Sequence, residues 1–267
     1  MTAANTVRYD DTGAPEGTAT ITVDRPDAMN GLDVATKDAL LDAVTRAAED
    51  DSVRCVVLTG SGRAFCVGQD LKEHRALLDV GSDQLFTTVE QHYNPIVRTL
   101  LEMEKPVVAA VNGVAAGAGA SLAFACDVRV LAESAGFNLA FTGVALSCDT
   151  GSSWTLPRLV GRAKALELLY FPRTIPAAEA LDLGLATRVV PDADLGGEVR
   201  ELAARLAAGP TVAYGAVRRA VTYSAGHELA ESLQFERRMM DLTGATSDHR
   251  AAVAAFVAKQ KPEFEGR

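Results

Sequence analysis

The sequence predicts an α/β fold with a helical C-terminal region. Two continuous apolar runs, Cys55 to Gly60 and Pro106 to Val111, are rich in β-branched residues and typical of strands buried on both faces. Strand and helix patterns alternate along most of the chain, which favours a layered α/β core. After Leu195 only helical periodicity remains. These observations divide the chain into a core of residues 1–195 and a helical region of residues 196–267.

The first elements follow from simple patterns. Thr18 to Val23 alternates as a half-buried strand does, and Arg25-Pro26 ends it. Asp33 is typical of a helix N-cap, and apolar residues at helical spacing continue this helix to Asp50. A strand that leads into an amphipathic helix is the expected start of an α/β core.

The middle of the chain alternates in the same way. Ser61 to Lys72 is a glycine-containing loop that enters a helical pattern, whereas residues 74–81 have little regular signal and are expected to form a mobile loop beside the site. Residues 82–104 are predicted to be helical, with an interruption at Pro95. Val128 to Ala132 is typical of a strand, and two helices are expected over 152–159 and 162–171.

Charge and composition exclude several classes of function. The formal net charge of −9 disfavours non-specific binding to nucleic acid or to a membrane surface. No apolar run approaches the roughly 20 residues of a membrane span, and the first six residues lack the pattern of a secretory leader. The four cysteines form no Cys-x-x-Cys pair, so reduced, packed thiols are expected rather than a disulfide or metal framework. The sequence therefore predicts a cytoplasmic protein.

The stretch from Lys105 to Asp127 contains a candidate anion site. Asn112-Gly113 ends a buried strand, and the small residues Gly117, Ala118 and Gly119 lead into a helix. Main-chain N–H groups at a helix start point outward with partial positive charge, which suits an oxyanion. The loop from Ser61 ends the other buried strand, so two N–H groups could converge on one oxygen. Close packing of a helix on a sheet would explain the small residues equally well.

Several segments of the chain resemble one superfamily. Residues 64–73, residues 112–119 and Cys126-Asp127 resemble the signature segments of the crotonase (enoyl-CoA hydratase/isomerase) superfamily, and the likeness extends from about Thr20 to the C-terminus. Within it, His92-Tyr93-Asn94-Pro95 resembles the epoxyphenylacetyl-CoA isomerases of phenylacetate breakdown. The resemblance implies a spiral of ββα units and C-terminal helices that build a homotrimer, often paired into a hexamer.

The resemblance also implies roles for individual residues. The main-chain N–H groups of Gln69 and Ala118 would form an oxyanion hole for a thioester oxygen, and Asp149 would be catalytic. The positions that would contact substrate or coenzyme A are Arg25, Ala28, Met29, Gly68, Asp70, Leu71, Lys72, Gly117, Gly119 and Phe141. No separate cofactor is implied because coenzyme A is part of the substrate, and no metal site is expected.

Asp149 can be interpreted in two ways from its neighbours alone. It precedes Thr-Gly-Ser-Ser, where an aspartate is often a helix cap. The short apolar segment before it would instead place the carboxyl in a buried position, where its pKa rises toward a range useful for proton transfer. The resemblance favours the second interpretation, because crotonase isomerases and the 4-chlorobenzoyl-CoA dehalogenase have their catalytic Asp at the matching position.

The departures from the family pattern restrict the chemistry. Ser121 and Phe141 occupy the positions at which ordinary enoyl-CoA hydratases carry two catalytic glutamates. Hydration requires a base for the water and an acid for the α-carbon, whereas a single carboxylate can move a proton between two carbons. The dehalogenase has Trp where Phe141 stands, which weakens that alternative. The sequence therefore predicts a double-bond or epoxide/ring isomerase that acts on an acyl-CoA, with hydratase-like lyase or dehalogenase-like chemistry as the alternative.

Alternatives from other classes remain open at this stage. Ser121 lies in a segment similar to a nucleophile elbow, and His227 or His249 could complete a serine hydrolase. A short-chain dehydrogenase, which would bind a dinucleotide cofactor, is disfavoured because the Tyr-x-x-x-Lys pair of that class does not occur in the sequence. Ser152-Ser153 stand where the related isomerase has two glycines, so an inactive acyl-CoA-binding scaffold is a further alternative.

Overall fold

A computed structural model describes residues 6–13, 15–82 and 85–267. The first five residues of the segment assessed for a secretory leader lie outside the described residues, as does a part of the helix expected over 82–104. Within the described ranges, helices and a largely parallel sheet form one mixed α/β core, so the predicted fold class is confirmed.

The larger sheet contains six strands in the described part of the chain. In chain order they are β1 (Val7–Asp10), β2 (Thr18–Val23), β3 (Cys55–Gly60), β5 (Val107–Val111), β7 (Val128–Ala132) and β10 (Arg188–Val190). Neighbours in the sheet follow the order β1-β2-β3-β5-β7-β10, antiparallel at β1 and parallel elsewhere. All five residues of β5 are buried, as the continuous apolar run predicted for a central strand.

A second, smaller sheet lies beside the first. Its strands are β4 (Ala64–Cys66), β6 (Val114–Ala116), β8 (Gly136–Asn138) and β9 (Thr174–Pro176), in that order. β4, β6 and β8 each follow a strand of the larger sheet along the chain, which gives the repeated ββα arrangement implied by the resemblance. The residue patterns indicate only a turn between strand and helix, because three-residue strands are too short for a periodic signal.

The helices surround these two sheets. They are α1 (Val34–Glu49), α2 (Leu71–Asp79), α3 (Asn94–Glu102), α4 (Ala118–Phe124), α5 (Ser152–Tyr170), α6 (Ala177–Asp182), α7 (Leu195–Ala207), α8 (Thr211–Ser224), α9 (Leu229–Gly244) and α10 (Ser247–Val257). Asp33 caps α1 by accepting the Thr36 N–H at 2.9 Å, as predicted. Gly161 has non-helical angles within α5, which matches the prediction of two helices there. Among the described residues, no helix combines the length and the hydrophobicity that a membrane span requires.

The prediction of a loop over residues 74–81 is wrong. α2 covers most of this segment, because the Asp70 carboxylate accepts the N–H groups of Lys72 and Glu73 and so caps the helix. None of the α2 residues is buried. Its start is therefore set by a cap rather than by burial of an apolar face in the core.

The interruption expected at Pro95 takes a different form. A π-helix over Val89–Tyr93 passes directly into α3, and Pro95 lies in the first turn of α3. Proline lacks an N–H donor and is tolerated in a first helical turn, so the chain changes its hydrogen-bond register here rather than breaking. This register change ends at Tyr93, which is buried.

Candidate active site

A cavity of about 480 Å³ lies between α2, the π-helix, the start of α4 and residues 140–149. Its walls are mainly apolar, with Leu78, Phe86, Phe141, Val144 and Leu146 among them. The polar groups that reach it include Gln69, Tyr93 and Asp149, and the start of α4 contributes Gly117 and Ala118. A mostly apolar cavity with a few convergent polar groups is the usual form of a small-molecule site.

Two close backbone contacts bring the loop after β4 against the start of α4. A Cβ atom at Gly68 would lie 3.0 Å from the Ala118 nitrogen, and one at Gly119 would lie 2.0 Å from the Cys66 carbonyl oxygen. Only glycine permits this second approach. The two glycine-containing turns therefore lie side by side, as convergence of their N–H groups on one oxygen would require.

The main-chain N–H groups of Gln69 and Ala118 have no acceptor within the described chain. Leu32 pairs with the residues on either side of Gln69, since its N–H donates to the Gly68 oxygen and its oxygen accepts the Asp70 N–H. This pairing turns the Gln69 N–H away from Leu32. Ala118 is the first residue of α4, where an N–H has no partner within the helix. Both residues line the cavity.

Asp149 is half-buried at the same cavity. Burial raises the pKa of its carboxyl above the usual value, and a hydrogen bond from the Thr150 hydroxyl at 2.7 Å partly opposes this shift. The side chain does not cap α5, whose N-cap is Gly151 with no side-chain bond. The helix-cap interpretation is therefore wrong for this side chain.

Comparisons with known proteins show the family to which the chain belongs. The family model for enoyl-CoA hydratase/isomerase matches residues 13–267. The chain belongs to the enoyl-CoA hydratase/isomerase family. The 1,2-epoxyphenylacetyl-CoA isomerase of Escherichia coli is 38% identical over 94% of this chain and 96% of its own length. A probable enoyl-CoA hydratase of Rhodobacter capsulatus is 43% identical over 98% and 99%.

Solved structures of the same family share the fold. The crystal structure of an enoyl-CoA hydratase from Bacillus anthracis superposes with a TM-score of 0.91 at 32% identity, covering 98% of this chain and 100% of that one. The two-sheet core and its surrounding helices are thus the crotonase fold, as the sequence resemblance implied. As a member of the enoyl-CoA hydratase/isomerase family, this chain is an enzyme that acts on acyl-CoA thioesters.

The residues implied for substrate and coenzyme A fall into groups. Leu71, Gly117 and Phe141 line the cavity with the predicted catalytic groups, whereas Gly68 and Gly119 support it from behind through their close backbone contacts. Ala28, Met29, Asp70 and Lys72 do not line it. Ala28 and Met29 lie in and beside a 3-10 turn, Asp70 caps α2, and Lys72 is exposed.

Arg25 is already engaged by carboxylates. Its guanidinium contacts Asp33 at 2.9 Å and Asp70 at 3.1 Å, outside the cavity. These contacts join the turn after β2 to the N-caps of α1 and α2. The prediction that Arg25 contacts coenzyme A is not tested by this arrangement, which gives the side chain a structural role in any case.

The structure argues against a nucleophilic Ser121. The side chain is fully buried in α4, and its hydroxyl donates to the Gly117 oxygen at 3.0 Å and contacts the Ser152 hydroxyl. His227 is exposed and stacks on Tyr223, and His249 is also exposed. A serine nucleophile needs an adjacent base and access to substrate, and this hydroxyl has neither.

Sequence reasoning assigned no role to two residues of this site. Tyr93 lines the cavity and donates its hydroxyl to the Gln69 side-chain oxygen at 2.7 Å. Burial raises the pKa of the Tyr93 phenol, and the charge of Asp149 adds to that shift. Lys37 contacts the same side-chain oxygen from beneath, although it is only 1% exposed. A signal for Lys37 existed, since it lies three residues before Leu40 on the buried face of α1.

Proposed function

We propose that this enzyme is an acyl-CoA isomerase in which Asp149 carries a proton between two carbons of the acyl group. The observation that supports this most directly is the placement of one carboxyl with a raised pKa in an apolar cavity that also presents the free N–H groups of Gln69 and Ala118. No cofactor beyond the coenzyme A of the substrate is required.

The proposed chemistry uses these groups in sequence. The thioester oxygen accepts hydrogen bonds from the two N–H groups, which stabilise the negative charge that develops there when a proton leaves the adjacent carbon. One such donor is typically worth about 10²–10³ in rate. Asp149 accepts that proton as a carboxylate and returns it at a different carbon, so the double bond moves and the carboxylate is regenerated.

The cavity favours isomerisation over hydration. Among the described residues that line it, only Asp149 carries a carboxyl. Addition of water requires one group to activate the water and another to protonate the α-carbon, usually two carboxyls in this family. Phe141, at one of the two glutamate positions of the hydratases, forms part of the apolar wall instead.

The acyl group is proposed to be bulky and apolar, such as an aryl or cyclic group. Phe86 and Phe141 offer ring faces and edges, and Leu78, Val144 and Leu146 complete an apolar surface. The similarity to the epoxyphenylacetyl-CoA isomerase supports this substrate class. We also propose that the enzyme is a homotrimer or a pair of trimers, since α8, α9 and α10 expose large apolar side chains.

A product analysis tests the isomerase assignment. The wild-type enzyme is incubated with an aryl-substituted 3-enoyl-CoA. The acyl-CoA products are separated by chromatography, and their masses are measured by mass spectrometry. The expected product is the conjugated 2-enoyl thioester with the mass of the substrate. A product that gains the mass of water would contradict the proposal, as would an unchanged substrate for both aryl and alkyl 3-enoyl thioesters.

A further inference from the structure

Lys37 is buried and contacts the side chain of Gln69, the residue whose main-chain N–H is proposed to bind the thioester oxygen. The Lys37 ammonium is 3.2 Å from the Gln69 side-chain oxygen and 3.4 Å from a carboxylate oxygen of Glu73. Lysine is rarely buried to this degree unless it is paired. Because Lys37 does not line the cavity, it has no direct contact with a substrate there.

Glu73 contacts both Lys37 and the Gln69 side chain. Its Oε2 accepts the Gln69 Nε2–H at 3.1 Å as well as the Lys37 ammonium, and its Oε1 accepts the main-chain N–H of Val34 at 2.9 Å. The first turn of α1 and the first turn of α2 are therefore joined through one carboxylate. The side chain of Gln69 lies at this junction.

The partners determine how the Gln69 amide is oriented. Lysine can only donate hydrogen bonds and an ionised glutamate can only accept them, so the amide oxygen must face Lys37 and the amide nitrogen must face Glu73. Tyr93 then donates to the same amide oxygen at 2.7 Å. Three elements, namely α1, α2 and the π-helix, thus hold one side chain in a single orientation.

The π-helix is itself tied to α1 next to Lys37. His92 Nε2 lies 3.0 Å from the carboxylate of Asp38, the residue that follows Lys37, and His92 Nδ1 lies 3.1 Å from the Thr88 hydroxyl. This contact fixes the turn that presents Tyr93. Consecutive residues of α1 therefore support both the Gln69 side chain and its tyrosine partner.

We infer that Lys37 is a positioning residue for the oxyanion hole. Acting through the Gln69 side chain, with Glu73 and Tyr93 as partners, it holds residue 69 so that its main-chain N–H faces the thioester oxygen. The inference rests on the function proposed above. A displaced donor loses much of its effect on the transition state, because small errors in the placement of catalytic groups are costly.

The test uses a ligand that reports on the oxyanion hole without turnover. The absorption of 4-hydroxycinnamoyl-CoA moves to longer wavelength when hydrogen bonds polarise its thioester carbonyl. The long-wavelength shift on binding is compared for wild type and Lys37→Met, which keeps an unbranched side chain but removes the ammonium. Lys164→Met, in an exposed ion pair with Glu167, is the matched control. Affinity and melting temperature are measured alongside.

We expect Lys37→Met to reduce the shift to less than half of the wild-type value, while the control keeps it and the affinity for the ligand changes less than about threefold. With a 3-enoyl-CoA that the wild-type enzyme converts, the kcat of Lys37→Met should be about 10–10²-fold lower, with little change in KM. A wild-type shift together with a wild-type kcat in Lys37→Met would overturn the inference.

A double variant separates positioning from general support of the fold. If Lys37 acts through the Gln69 side chain, Gln69→Ala alone should already reduce the long-wavelength shift and kcat. Adding Lys37→Met to Gln69→Ala should then reduce them little further. Additive losses would overturn the inference. If Lys37→Met does not fold, Glu73→Gln removes the paired charge without changing shape, and an unaltered shift in that variant would overturn it as well. If the wild-type enzyme shows the long-wavelength shift but isomerises no 3-enoyl-CoA, only the proposed function is contradicted.

Discussion

Asp149 is half-buried at the cavity, whereas Lys37 is buried outside it. The Asp149 carboxyl accepts the Thr150 hydroxyl and otherwise faces a mainly apolar cavity, so burial raises its pKa. The Lys37 ammonium contacts two oxygen atoms and lies beneath the site. The Asp149 carboxyl is thus suited to exchange a proton, and the contacts of Lys37 suit it to hold the Gln69 side chain in place.

The raised pKa of Asp149 has a consequence for stability. A carboxyl whose pKa is higher in the folded protein than in the unfolded chain makes the fold less stable as the pH rises through that range. Asp149→Asn removes this effect, and the amide oxygen can still accept the Thr150 hydroxyl. We expect the variant to melt at a higher temperature than wild type at pH 7, with the difference shrinking toward about pH 4. Thermal unfolding across this pH range measures it, and a lower melting temperature at pH 7 would contradict the expectation.

Individual residues of the site were predictable to different degrees. Gln69, Ala118 and Asp149 lie in segments that resemble family motifs, and the structure brings all three to one cavity. Their chemical roles remain predictions. Lys37 and Tyr93 could not be assigned, because their importance comes from a contact between segments far apart in sequence. Position 37 on an apolar helix face indicated burial, but it did not indicate the partner.

At the scale of elements, the site depends on how closely α4 approaches β4. Every residue of α4 is buried, and the helix starts directly after β6. Gly119 is the point of closest approach, since a Cβ there would meet the Cys66 carbonyl oxygen at 2.0 Å and its carbonyl carbon at 2.7 Å. The N–H of Ala118 is held in place by this packing.

Gly119→Ala should therefore damage both stability and activity. The added methyl group meets backbone atoms that cannot move aside, and overpacking of this kind typically costs about 1–3 kcal/mol. Gly196→Ala in α7 is the matched control, because no atom lies within 4 Å of the added methyl group and the change should be neutral or stabilise by about 0.4–1 kcal/mol. Denaturant unfolding measures both variants, and equal stabilities would contradict the close contact.

The elements that escaped prediction have a common physical reason. The strands of the small sheet are three residues long, which is too short for a hydrophobic period, and α2 is a nine-residue helix without a buried residue. Long elements that face the core, such as α1 and β5, were predicted with nearly the observed bounds. Sequence periodicity reports burial, and it fails where an element is short or is defined by its caps.

In the molecule as a whole, large apolar side chains are exposed on the C-terminal helices. Leu229, Met240, Phe256 and Val257 on α9 and α10 are 73%, 69%, 83% and 78% exposed, and Val221 on α8 is 68% exposed. Scattered apolar residues are normal on a surface, but large side chains concentrated on neighbouring helices indicate an interface. The division of the chain at residues 195 and 196 remains a prediction.

We expect the protein to assemble as a homotrimer or a multiple of it. Burial of these apolar side chains between identical chains would supply the main driving force. Light scattering coupled to size-exclusion chromatography at micromolar concentration measures the mass in solution. A stable monomer under these conditions would contradict the expectation, and a dimer would contradict the implied three-fold arrangement.

The activity of Asp149→Asn tests the proposed proton transfer most directly, because this substitution keeps the shape of the side chain and removes its ability to carry a proton. Isomerisation of the 3-enoyl-CoA that wild type converts should fall by about 10²–10⁴-fold, while binding of the CoA ester persists. Ser121→Ala, at a buried hydroxyl outside the cavity, should retain activity. Full isomerase activity in Asp149→Asn would contradict the proposed role of Asp149.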